Sequence, residues 1–203
     1  MNNNITNINN ILNDIKHGKP VIVVDDEDRE FEGDLVIAAE KATPYNLIFM
    51  QRHGGGLMCI PCFETILQRL DIPLMRTNKL DKYGTPFTVS VDSVYGTTGV
   101  SIEDRLKTIN AFINDNSTAS ELAQPGHMFP LRARNGLLKE RRGHTEASLE
   151  LMLAAKMKPV SIIIEIMNSD GTMTKGEQLI EYSKIYNLNI ISINEIYSHS
   201  YGS

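Results

Sequence analysis

The stretch PVSIIIEIM, residues 159–167, constrains this chain more than any other. Its near-continuous β-branched run reads as a strand buried on both faces, and so as a central strand of a sheet. Shorter runs of the same kind, PVIVV, LVIAA, GLMCIPC, FTVSV and LNIISI, supply further strands. Helical segments lie between them. Ile5, Ile8, Ile11, Leu12 and Ile15 recur at helical spacing as far as Gly18 and Pro20. Thr43, Pro44 and Gly54 mark the cap, first position and end of a second helix. Residues 63–71 form a third, and Ser101 and Asp104 stand at capping-box spacing before a fourth. HTEASLELMLAAKM predicts a helix from near Thr145, and GEQLIEYSKIY another. Because the elements alternate with no linker or repeat, the expected fold is α/β (mixed α+β). It is one compact domain over residues 1–203, a mixed sheet flanked by helices.

Several function classes fall away. No apolar run approaches the length of a membrane span, and the first residues lack the basic start and apolar core of a secretory signal. Cys59 and Cys62 form a C-x-x-C pair with no second pair to complete a zinc site and no helix beginning between them. Reduced thiols in a cytoplasmic protein are the expectation. The net charge of −5 is concentrated in residues 25–34. With that stretch removed the chain is close to neutral and has no basic stripe, so nucleic acid is not an expected partner.

That stretch, DDEDREFEGD, places Asp25, Asp26, Glu27, Asp28, Glu30, Glu32 and Asp34 between two predicted strands. Charges about 6 Å apart repel by roughly 3 kcal/mol at an effective dielectric near 20, so the cluster favours cations. A solvated turn is the plain alternative, although hairpin turns are normally short. An EF-hand register counted from Asp28 puts Gly33 at the sixth position. It fails at the twelfth, where Ala39 stands one residue before Glu40. A hard divalent cation held by one or two carboxylates and substrate oxygens fits better.

Three further features can carry chemistry. In ERRGHTEASLELM two arginines and a glycine lead into a helix, whose open N–H groups favour an anion that Arg141 or Arg142 could clamp. His144 stands at the rim of that site, where a neutral imidazole can bind metal. His127, between Gly126 and apolar neighbours, reads on its own as a core histidine. Glu165 is a lone carboxylate in an apolar strand. It is either a general base with a pKa raised by burial or a strand-end acid facing solvent.

Taken in order, VVDDEDREFEGDL, HGGGLMCIP, YGTPFTVSVD, TTGVSIEDR, PGHMFPLRA, GHTEASLELM and EIMNSDGTM resemble the 3,4-dihydroxy-2-butanone-4-phosphate synthase family over residues 8–197. The resemblance is to the monofunctional form, without a GTP cyclohydrolase II domain. It implies a lyase of riboflavin biosynthesis that converts D-ribulose 5-phosphate to L-3,4-dihydroxy-2-butanone 4-phosphate and formate. It also implies two magnesium ions per site, which manganese can replace, and a cytoplasmic homodimer with sites at the subunit interface. By position, Glu30 and His144 ligate metal. Arg29, Glu30, Asp34, Arg141, Arg142, Gly143, His144, Thr145 and Glu165 bind substrate, and His127 and Glu165 are catalytic. Asp25, Glu32 and Cys59 line the site, as do Thr98 and Asp104.

Two positions depart from the family pattern. Phe31 replaces the Asn of DRENEGD, and Arg142 replaces a small residue. Extended geometry puts Phe31 on the face opposite Glu30 and Glu32. Two rival functions remain: a non-catalytic module that binds metal or sugar phosphate on the same fold, and another metal-dependent enzyme acting on a sugar phosphate.

Overall fold

The computed structural model describes residues 7–26, 29, 31–76 and 83–202. Seven strands form one mixed sheet in the order β4-β5-β3-β6-β2-β1-β7. They are β1 (Val21–Val24), β2 (Gly33–Ala38), β3 (Cys59–Cys62), β4 (Val91–Ser93), β5 (Leu122–Arg132), β6 (Ser161–Glu165) and β7 (Ile190–Ser192). SIIIE is the middle strand of the seven, in keeping with its unbroken apolar run. β1 and β2 form an antiparallel hairpin, β2 continues antiparallel to β6, and β3 runs parallel to β5.

Helices cover both faces. On one side lie α1 (Ile8–Lys16), α5 (His144–Ala154) and α7 (Ile193–Tyr201), which bury Ile11, Ile15, Ala147, Leu151, Ile193 and Ile196 against Val23, Val36 and Ile163. On the other lie α2 (Pro44–His53), α3 (Glu64–Arg69), α4 (Ile102–Ile113) and α6 (Glu177–Ile185), which bury Leu47, Met50, Leu67, Phe112 and Leu179 against Ile22, Leu35 and Ile164. Each Val, Leu, Ile, Met or Phe among them contributes about 1.5–3 kcal/mol on burial, so the two cores fix the helices to the sheet. α2 begins as its sequence predicts: the Thr43 hydroxyl accepts from Asn46 N and the Asn46 amide oxygen accepts from Thr43 N.

Three segments depart from the sequence reading. FTVSV is not a continuous strand. Its N–H groups go to different neighbours, Thr88 to Pro130 and Val89 to Pro73, so no ladder forms before Val91. The longest strand, β5, contains Pro125, Gly126 and Pro130, residues that argue against a strand when read locally. LNIISI ends at Ser192, which caps the unanticipated α7: its hydroxyl accepts from Glu195 N, and the Glu195 carboxylate accepts from Ser192 N.

Candidate active site

The register brings the candidate residues to one end of the sheet. Val23 stands opposite Asp34, and Asp34 opposite Glu165. Because strand side chains alternate, Asp34 shares the face of Val36, and Glu165 that of Ile163, under α5. Cys59, paired with Ile163, faces the same way. The Cys59 thiol is pushed well above its ordinary range, first by burial and then by the charges of Glu165 and Asp34. Asp34, Glu165 and Cys59 therefore form one group. Glu165 Oε2 accepts from Leu57 N at 2.7 Å, and its side chain lies over Gly56, where a Cβ would overlap the carboxylate. The burial expected of Glu165 is partial, as befits the last residue of β6.

Asp25 closes the mouth of the β1–β2 connection. One carboxylate oxygen accepts from Glu32 N at 2.8 Å, and the other from Arg29 Nη1 at 2.9 Å. This hairpin replaces the EF-hand reading: strands flank the connection, and Glu40 Oε2 accepts from Lys158 N instead. Glu30, expected to bind both metal and substrate, lies outside the described residues, as do Glu27, Asp28 and Ile5. Phe31 corrects the extended-geometry expectation. Its φ is 57°, a left-handed backbone, and its ring lies against Gly176 rather than on an alternating strand face.

A chain of contacts joins this loop to the start of α5. The Arg29 guanidinium stacks 4.8 Å from the Tyr83 ring centroid, and Tyr83 Oη donates to Arg29 O. Tyr83 O accepts from Arg141 Nε at 3.2 Å. Arg141 Nη2 donates to Thr85 Oγ1 at 2.8 Å, and Nη1 to the buried Glu146 carboxylate at 2.6 Å. These three bonds use three of the five guanidinium N–H groups, leaving two for an anion. Gly143 is the N-cap of α5 and supplies no side-chain cap, and the positive end of the helix dipole there favours an anion. A Cβ at Gly143 would overlap the Arg141 guanidinium.

Other predicted residues go elsewhere. Arg142 turns to α7, donating to Asn194 Oδ1 at 2.8 Å and stacking 3.6 Å from the Tyr197 ring centroid. Asp104 is a buried loop anchor that accepts from Thr97 Oγ1 and Gly99 N, and Thr98 is on an exposed turn. His127 is not a core residue. It is half exposed, and its ring Nδ1 is 2.6 Å from Asp92 Oδ2. Phe129, two residues on, pairs with Cys59, which places His127 toward the same sheet end as Glu165 but on the far side of β3. Cys59 and Cys62 face opposite cores of the sheet, so they cannot act as a redox pair. Sequence reasoning missed Tyr83, Asp92 and Glu146. Tyr83 and Asp92 stand at the two ends of YGTPFTVSVD, and Glu146 is an acid in a helix first turn, a position that usually faces solvent.

Among the described residues no three His, Cys, Asp or Glu side chains form a ready metal-binding group. The donor chemistry nevertheless fits a hard cation. Asp25, Asp34 and Glu165 offer carboxylate oxygens on one sheet end, while the raised thiol of Cys59 leaves little thiolate at neutral pH.

The chain as a whole is similar to proteins of one family. A family model described as 3,4-dihydroxy-2-butanone 4-phosphate synthase matches residues 9–199. A protein of that name from Edwardsiella ictaluri is 41% identical over 189 residues, covering 93% of this chain and 86% of the relative. The monofunctional riboflavin biosynthesis protein RIBA 2 of Arabidopsis thaliana is 46% identical over 188 residues, and the match spans 40% of that longer protein. A crystal structure of a synthase of this kind in complex with two magnesium ions superposes with a TM-score of 0.92 at 35% identity, over 98% of each chain.

Proposed function

The chain belongs to the 3,4-dihydroxy-2-butanone 4-phosphate synthase family and is a lyase of riboflavin biosynthesis, and from that premise we propose which of its residues do which parts of the work. The reaction takes D-ribulose 5-phosphate to L-3,4-dihydroxy-2-butanone 4-phosphate and formate. The observation that most supports the assignment is the grouping of Asp34, Glu165 and Cys59 on one sheet face, beside a β1–β2 connection that Arg29, Tyr83 and Arg141 tie to the start of α5.

The phosphate binds at that helix start, beside the remaining Arg141 N–H groups and the first turn at His144 and Thr145, where Gly143, lacking a side chain, lets the backbone approach. Arg29 and Asp34 face the sugar hydroxyls. Glu165 has Oε2 occupied by Leu57 N, so Oε1 is the atom that takes and returns a proton beside the carbonyl. His127 moves a second proton through Nε2. Glu30 and His144 would hold the divalent cations, two magnesium ions per site with manganese as a substitute, whose chemistry is to stabilise negative charge developing on the sugar oxygens. Arg142, engaged by α7, is left out of the substrate contacts.

A homodimer with sites at the subunit interface and a cytoplasmic location complete the proposal. No helix among the described residues is long and apolar enough to cross a membrane. The test is one incubation: purified protein with ribulose 5-phosphate, with and without magnesium, assayed for formate. Metal-dependent formate supports the assignment. Binding without turnover, as a sugar-phosphate-binding module would give, overturns it.

A further inference from the structure

His127 and Asp92 are 35 residues apart in sequence, yet the fold makes them a matched pair. β4 and β5 are antiparallel neighbours, and their register shifts between Val91 and Asp92, which turns the Asp92 carboxylate toward His127. One oxygen, Oδ1, accepts from the His127 backbone N at 2.9 Å, while Oδ2 lies 2.6 Å from ring Nδ1. Both the backbone and the ring of one residue are thus held by a single carboxylate. Two glycines make room for it. A Cβ at Gly126 would overlap the backbone of Val91 and Asp92, and one at Gly99, whose φ is +81°, would overlap the Asp92 carboxylate. Arg105 Nη1 donates to His127 O at 3.3 Å, so the main chain of this residue is tied from a second side.

We propose that Asp92 is the positioning residue for His127, holding the imidazole as the Nδ1–H tautomer with Nε2 turned outward as the atom that exchanges protons. An ionised carboxylate only accepts, so its partner ring nitrogen must carry the hydrogen. The inference rests on reading His127 as a proton carrier of the lyase. Asp92 itself touches no substrate and acts through the tautomer and aim of the ring.

The test combines turnover with a measurement that does not depend on it. In Asp92→Asn the amide can donate to Nδ1, which reverses the favoured tautomer. The expected result is a fall in kcat of at least about tenfold with KM changed less than about twofold. Nitrogen-15 NMR of the histidine ring should show Nδ1 protonated and Nε2 bare in the wild type, and the reverse in the variant. Wild-type kcat in Asp92→Asn, alongside an inactive His127→Gln, overturns the proposal. So does a wild-type spectrum in which Nε2 carries the hydrogen, a result that stands even if the variant does not fold. Full formate release by His127→Gln would instead overturn the proton-carrier reading, a distinct failure because the tautomer is read without turnover.

Discussion

The Phe31 ring lies against Gly176, so that a Cβ at 176 would stand 2.7 Å from Phe31 Cε1. Both residues have positive φ, 57° and 54°. Beside them Lys175 Nζ pairs with Glu32 Oε1 at 3.0 Å, fastening the end of the acidic connection to the approach of α6. Gly176→Ala should therefore destabilise the fold by about 1–3 kcal/mol from backbone strain alone, measured by denaturant unfolding. Phe31→Asn places a residue that tolerates this backbone where a bulky one is strained, and removes the ring contact. We expect formate release to persist while the magnesium concentration for half-maximal rate shifts by about threefold, the equivalent of under 1 kcal/mol. Identical metal dependence in the two proteins would refute a role for Phe31 in the site.

Adjacent arginines should behave differently. Arg141→Ala leaves the Glu146 carboxylate buried without its cation, which typically costs about 3–5 kcal/mol, and should also raise KM. Arg142→Ala removes a half-buried stack on Tyr197 worth about 0.5–2 kcal/mol and should leave KM unchanged. Thermal unfolding and steady-state kinetics on both variants separate a phosphate-site residue from a helix clamp.

Glu165→Gln keeps an oxygen for Leu57 N but cannot accept a proton, so kcat should fall by about 10²–10⁴ with the fold intact. Gly56→Ala should lower kcat without replacing any ionisable group, because the new Cβ displaces the Glu165 side chain. Circular dichroism with formate kinetics checks both.

Hydrogen bonds from Thr97 above all hold the Asp104 carboxyl down to about 2. A depressed carboxyl stabilises the folded chain fully above its unfolded pKa of roughly 3.9 and loses that contribution as pH falls through the folded value. The Tm difference between wild type and Asp104→Asn should be constant above pH ~5 and close progressively toward pH ~2. A gap that persists unchanged at low pH would exclude this linkage.

Burial raises the thiol pKa of both cysteines. Neither should react appreciably with iodoacetamide in the native protein at neutral pH, and both should react on unfolding, as mass spectrometry can follow. Rapid native labelling of Cys59 would contradict its enclosure between the sheet and α5.

The sequence alone determined the alternation of elements, the central position of SIIIE and the caps of α2 and α4, because these depend on side-chain periodicity and local hydrogen bonding. It also pointed to the acidic stretch, to Arg141 through Thr145 and to Glu165, since charge in an apolar setting is visible without coordinates. The cap of α7 was legible in Ser192 and Glu195 and was overlooked beside the apolar run before it. What only the tertiary structure decided is partnership. No local pattern pairs Asp92 with His127, joins Arg29 to Arg141 through Tyr83, turns Arg142 away to Tyr197, or gives Phe31 a left-handed backbone against Gly176. Those contacts join residues 35 to 145 positions apart in the chain. They arise from strand register and helix docking, in which buried apolar area fixes the frame and the polar groups pair with whatever the frame brings within reach.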